Sequence, residues 1–205
     1  MLSNMKITEF LAATSSDAPV PGGGSVAALS AAIASSLTEM VANLTIGKKG
    51  YDEVQDEMKA ISEKMSGFTT KFVDFIDKDA TSFDDVMKAF KLPKETDEEK
   101  KVRTAAIQNG MKLAANVPLE TAQAAMEILG MIEAVVVKGN NNAVTDGAVA
   151  AMMTRTAVLS ALYNVKINLG SIKDVEYVEK TAAEVARIEK EIVEIEARIL
   201  SQVKL

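Results

Sequence analysis

Residues 58–90, MKAISEKMSGFTTKFVDFIDKDATSFDDVMKAF, decide the fold class of this chain. Met58, Ile61, Met65, Phe68, Phe72, Phe75/Ile76, Asp79, Phe83, Val86 and Phe90 recur in steps of three and four. That rhythm belongs to a helix with one packed face, and it predicts a long helix over Tyr51–Lys91, closed by Leu92-Pro93-Lys94. Asp79 breaks the pattern, standing where an apolar side chain is expected. A charge buried without partners costs on the order of several kcal/mol, comparable with the whole stability of a small domain. Asp79 therefore needs a partner. It is either a structural salt bridge or helix cap, or a carboxylate facing a cavity with a shifted pKa.

Towards the N-terminus, Lys6–Ala13 reads as a short amphipathic helix and Thr14–Gly24 as a loop ending in Pro19-Val20-Pro21-Gly22-Gly23-Gly24. Ser25 is the expected N-cap of a helix over Ser25–Ile46, whose Ala27, Ala28, Ala31, Ala34 and Ser35 allow close backbone approach. Gly47–Gly50 ends it. The uncharged run Val26–Leu37 is too short and too rich in serine for a membrane span, and reads as a buried small-residue helix.

Towards the C-terminus, Thr96 and the acidic residues after it start another helix that runs to Asn116. Val117-Pro118 is expected to interrupt it, with Pro118 opening a new helix to Val137 that stops at Lys138-Gly139. A polar turn precedes a helix over Val144–Leu169. In Lys173–Lys204, Val185, Ile188, Ile192, Ile195 and Ile199 form a heptad, predicting a coiled-coil-like arm packed within the chain or across a dimer.

Composition agrees. Of 205 residues, 48% are hydrophobic but only 4% aromatic, so the core is built from Ala, Val, Ile, Leu and Met, and only four prolines interrupt. The expectation is one all-α domain over residues 1–205, a bundle of long antiparallel helices. The net charge of −6 disfavours nucleic acid as a partner. No basic-then-apolar leader is visible in Met1–Asp17, and the expected location is the cytoplasm, off the membrane. The chain has neither cysteine nor histidine. Thiol nucleophiles, Ser-His-Asp triads and thiolate- or imidazole-bound metals are thereby excluded, and proton transfer falls to Asp, Glu, Lys or Tyr.

Four constellations can carry chemistry. Gly22-Gly23-Gly24-Ser25 before an apolar helix can bind an anion through free amides, or be no more than a tight turn; it fits neither the Walker pattern nor GxGxxG. Asn43, Thr45, Lys48 and Lys49 can hold an anionic tail, although a basic last turn complementing a helix dipole is the commoner meaning. Asp79 is the third. The fourth is Gly139-Asn140-Asn141-Asn142-Ala143-Val144-Thr145-Asp146-Gly147, which puts Asp146 in the first turn of a helix, as a dipole partner or as a rigidly held catalytic carboxylate. Asn164 and Asn168 share a face near the other end of that helix. About 27 Å of helix separates Asp146 from Asn164, so they can meet only through a second helix or an antiparallel second subunit.

Taken in order, these motifs resemble the cyclodeaminase/cyclohydrolase family, which includes formimidoyltetrahydrofolate cyclodeaminase and methenyltetrahydrofolate cyclohydrolase. The resemblance is carried by Pro19-Val20-Pro21-Gly22-Gly23-Gly24-Ser25, Met40-Val41-Ala42-Asn43-Leu44-Thr45 with Gly47-Lys48-Lys49, Asp77-Lys78-Asp79-Ala80, Val117-Pro118, Gly139-Asn140-x-Asn142-x-x-Thr145-Asp146 and Asn164-Val165-x-Ile167-Asn168. It spans essentially the whole chain. It implies an all-helical homodimer acting on a one-carbon-substituted tetrahydrofolate, with no cofactor and no metal. Asp146 is then the leading acid/base or cation-stabilising group and Asp79 the second. Gly22, Gly23, Gly24, Ser25, Asn43, Lys48, Asn140, Thr145 and Asn164 are the substrate-binding set, with Lys48 or the glycine amides suited to the anionic glutamate tail. Thr145 departs from the family's usual Ser-Asp but keeps the hydroxyl. The 205 residues are expected to hold no formiminotransferase domain like the one fused to the animal enzymes, which leaves methenyl and formimino substrates both open. The competing reading is a helical scaffold of the same fold that binds folate without turning it over.

Overall fold

The computed structural model describes residues 1–205. Seven helices run in chain order: α1 Ile7–Thr14, α2 Gly23–Asn43, α3 Gln55–Phe90, α4 Asp97–Glu127, α5 Leu129–Lys138, α6 Val144–Leu169 and α7 Val175–Leu200. Short 3-10 turns at Leu2–Asn4, Asp52–Val54 and Asn141–Ala143 precede α1, α3 and α6.

Helix α2 is the central element, packed between α3 and α6. Ala27, Ala28, Ala31 and Ala34 are completely buried, and with only methyl groups between them the neighbouring backbones come close. It is the one helix long and apolar enough to cross a bilayer, yet most of that window is buried inside the bundle. Polar groups facing its neighbours are paired: Ser35 donates to the Met65 carbonyl at 2.8 Å, and Thr69 to Ser35 at 3.1 Å.

The long α3 buries Met58, Ile61, Met65, Phe72, Phe75 and Ile76, as the stripe predicts. Beyond Asp79 the pattern shifts by one residue. Ser82, Val86 and Ala89 are buried, whereas Phe83 is half-buried and Phe90 is exposed. Here α3 lies against α4, and a Cβ at Gly110 of α4 would crowd both the side chain and the backbone of Val86, so the helices approach closely and small residues face inward.

Three boundary expectations are corrected. Gly22, not Ser25, is the N-cap of α2, because the helix starts two residues early and Ser25 is spent elsewhere. The same helix stops at Asn43 rather than Ile46; Thr45, Ile46 and Gly47 form a turn, with Gly47 at φ +72° and Gly50 at φ +88°, the left-handed region where glycine has no Cβ penalty. The predicted break at Val117-Pro118 does not occur: α4 runs through Pro118 to Glu127, and the break falls at Ile128. Thr96 does cap α4, in a reciprocal pair with Glu99. The heptad of α7 packs within the chain, burying Val185, Ile188, Ile192 and Ile199 against α6, α4 and α5.

Candidate active site

Because α2 and α6 lie antiparallel, the nominated residues fall into two groups at opposite ends of the bundle. At one end Gly23 approaches Asn164; at the other, Asn140 just before α6 meets the turn after α2. About 30 Å of α2 separates them. Asp146 and the triple-glycine turn therefore share no cleft within one chain.

The first group gathers around Asp79. The N-terminus of α2 has no side-chain cap of its own. Asp79 reaches across from α3 and fills that role, accepting a hydrogen bond from the Ser25 hydroxyl at 2.9 Å, which also faces the Ile76 carbonyl at 3.2 Å. Gly24 makes this possible, since a Cβ there would collide with the Asp79 carboxylate. On the adjoining turn, a Cβ on Gly23 would lie 3.0 Å from Asn164 Nδ2. Asn164 donates through Nδ2 to the Ser160 carbonyl of its own helix at 2.9 Å, and its amide head as a whole lies against the glycine turn. No lysine or arginine pairs with Asp79. Desolvation raises its pKa from the ordinary 3.8, opposed by the Ser25 hydroxyl and then the Ser25 amide. The result is a carboxyl that holds its proton longer than usual beside main-chain amides at a positive helix end.

The second group is a closed hydrogen-bond lattice. Lys48 Nζ donates to Asn140 Oδ1 at 2.7 Å, and the same oxygen accepts from the Asn142 amide at 3.1 Å. The Asn140 amide donates to the Thr45 hydroxyl at 2.9 Å, and its Nδ2 to the Leu44 carbonyl at 3.0 Å. Asn43 accepts from Ser62 at 2.7 Å. Thr145 is exposed and Asp146 half-buried on the first turn of α6, and Asp146 joins none of the ion pairs. Two residues of this lattice escaped sequence reasoning. Gln55 receives the Gly47 amide at 2.6 Å and donates to the Thr45 and Tyr51 carbonyls, and the Tyr51 hydroxyl accepts from the Asn141 amide at 3.1 Å. Nothing local distinguishes a glutamine that clamps a turn from one that solvates a helix start.

Chemically the two ends differ. The Asp79 end offers a desolvated proton donor or acceptor seated in the space that Gly24 leaves. The Lys48 end offers a fixed cation, amide groups and an unpaired carboxylate, suited to holding a ligand.

Comparison with known proteins bears on both. The family described as formiminotransferase-cyclodeaminase matches residues 6–187. The chain is 39% identical over 204 residues to the methenyltetrahydrofolate cyclohydrolase of Methylorubrum extorquens, covering 100% of this chain and 98% of that protein. It is 32% identical over 190 residues to the formimidoyltransferase-cyclodeaminase of Rattus norvegicus, covering 93% of this chain but only 35% of that longer protein. The crystal structure of formiminotetrahydrofolate cyclodeaminase from Thermotoga maritima superposes with a TM-score of 0.88 at 31% identity, covering 99% of this chain and 98% of that one.

Proposed function

The chain belongs to the formiminotransferase-cyclodeaminase family, and on that premise we propose that it is a folate one-carbon enzyme whose acid/base group is Asp79. Its substrate is 5,10-methenyltetrahydrofolate, hydrolysed to 10-formyltetrahydrofolate, or the formimino derivative, closed to the methenyl form with loss of ammonia. Coverage of nearly the full length of a cyclohydrolase makes the methenyl substrate the first to assay.

The observation that carries this reading is the Asp79 carboxyl, desolvated, held by Ser25 and packed into the space that Gly24 leaves at the start of α2. In hydrolysis, water adds to the cationic bridging carbon and gives a proton to a base; the C–N5 bond then breaks as the new hydroxyl loses its proton and becomes the formyl carbonyl, and N5 keeps the electron pair and takes a proton. A carboxyl whose pKa is displaced towards neutrality can serve both transfers. In ring closure, N10 attacks the formimino carbon, and ammonia departs with the C–N pair and a proton. Either substrate carries positive charge at the reacting carbon, which an ionised carboxylate stabilises.

The Lys48–Asn140–Asp146 end enters the same site from a second copy. Neighbouring helices α2 and α6 both leave apolar side chains exposed along their length: Val26, Ile33 and Met40 on one, Val149, Met152 and Ile167 on the other. Two such faces related by a twofold axis crossing α2 bring one copy's Asp79 beside the partner's Asp146 end, whereas an axis along α2 pairs like ends. Lys48 then faces the glutamate tail, and Asp146 the cationic bridge.

The test is turnover of purified protein on both folates, with ammonia release separating the two reactions, followed by complementation. Asp79→Asn and Asp146→Asn are each made, then co-assembled. If the site is shared, half of the randomly mixed dimers carry one intact site and about a quarter of wild-type activity returns. Sites contained within one chain give none, and that result removes Asp146 from the site of its partner. Absence of turnover on either folate sinks the enzymatic reading.

A further inference from the structure

Proline 118 lies inside α4, where it has no N–H to offer the carbonyl of Ala114 one turn earlier. A half-buried carbonyl left that way weakens or kinks a helix, yet α4 continues for nine residues beyond. The missing donor comes from another helix. Asn168 of α6 donates through Nδ2 to the Ala114 carbonyl at 2.9 Å, and to the Asn164 carbonyl at 2.9 Å.

We propose that Asn168 takes the place of the amide hydrogen that Pro118 lacks and, by tying α4 to α6 there, is a positioning residue for Asn164 at the glycine turn. The geometry has two consequences that separate on mutation. Satisfying the Ala114 carbonyl is a matter of stability, and any donor will do. Holding α6 against α4 is a matter of where Asn164 stands relative to Gly23, four residues and one turn from the tether. Only an interhelical donor does both.

The kinetic half rests on the proposed folate activity; the stability half does not. The experiment is a cycle of Asn168→Ala, Pro118→Ala and the double variant, followed by thermal unfolding and by KM and kcat on methenyltetrahydrofolate well below the midpoint. Asn168→Ala in the wild-type chain lowers the midpoint by about 2–6 °C, the scale of a half-buried carbonyl left without its donor in a chain of this size. In the Pro118→Ala background, where residue 118 regains its N–H, the same substitution costs less than half as much. KM rises several-fold with Asn168→Ala and stays raised in the double variant, because the regained N–H repairs α4 without restoring the tether.

Equal midpoint losses in both backgrounds overturn the pairing. A KM that is unchanged, or that recovers along with the midpoint, overturns the positioning role. If the wild-type protein turns over neither folate, the enzymatic reading falls, and the unfolding cycle still decides whether Asn168 replaces the proline's missing donor.

Discussion

The two ends of α2 solve opposite problems with similar residue types. At the Lys48 end the groups around the Asn140 turn are mutually bonded: asparagine, threonine, glutamine, tyrosine and lysine interlock there, with Asp146 left outside the lattice. At the Asp79 end a carboxylate is half removed from water and given only the Ser25 hydroxyl and amide in return. Saturation favours rigid presentation of charge. Partial satisfaction leaves protonation poised. A site needing both a holding function and a proton-transfer function can draw one from each end, which the proposed antiparallel pairing of two copies would place side by side.

That contrast can be broken by substitution. The largest effect is expected at Asp79: Asp79→Asn should lower kcat by about 10²–10⁴-fold while the protein still unfolds cooperatively, since the amide retains an oxygen for Ser25. A loss below tenfold would make Asp79 a helix cap and nothing more. Next comes Gly24→Ala, whose methyl group must displace the same carboxyl; a loss of about 10–100-fold in kcat/KM is expected, with the change seen by comparing pH–rate profiles. At the opposite end, Lys48→Met should raise KM about tenfold or more and leave kcat near wild type, because a charge-assisted contact is removed from binding and not from proton transfer.

A smaller, purely thermodynamic signal sharpens the comparison. Desolvation raises the Asp79 pKa above the 3.8 of an unfolded chain, so the folded state holds that proton more tightly. The sign follows: its contribution is fully present below about pH 4 and is lost as pH rises through the folded value. The midpoint of Asp79→Asn relative to wild type should therefore climb between pH 4 and pH 7 in unfolding scans. A flat difference would mean that burial does not govern this group. Least of all should be felt at Arg187, bonded to Glu184 and Glu191 on the exposed face of α7: Arg187→Ala is expected to move the midpoint by less than about 1 °C.

Much of this was readable from residue order, and the failures have physical reasons. The stripe Met58–Ile76, the Thr96 cap, the heptad of α7 and the span of α6 follow from periodicity and capping, which are local. The Pro118 break was mispredicted because local rules count the donor that proline removes, but not the one that Asn168 returns from 50 residues away. Ser25 looked like a cap and is instead the partner of one, since Asp79 comes from 54 residues on. Asp79 was legible as an anomaly, but its Ser25 partner and its desolvation were not, for both depend on what else packs there. The separation of Asp146 from Asn164 was legible from helix rise alone; that Asn164 stands beside the glycine turn was not, because it depends on how α6 packs on α2.

The alanine interior of α2 has a mechanical side. Alanine has no χ rotamers, so Ala27, Ala28, Ala31 and Ala34 have no alternative packing to adopt when a neighbour presses on them. Such a helix cannot absorb a displacement by local rearrangement; it can only slide or tilt as a rod. Motion imposed where Gly24 meets Asp79 is then conveyed along the shaft to the Asn43 terminus, and the reverse holds equally.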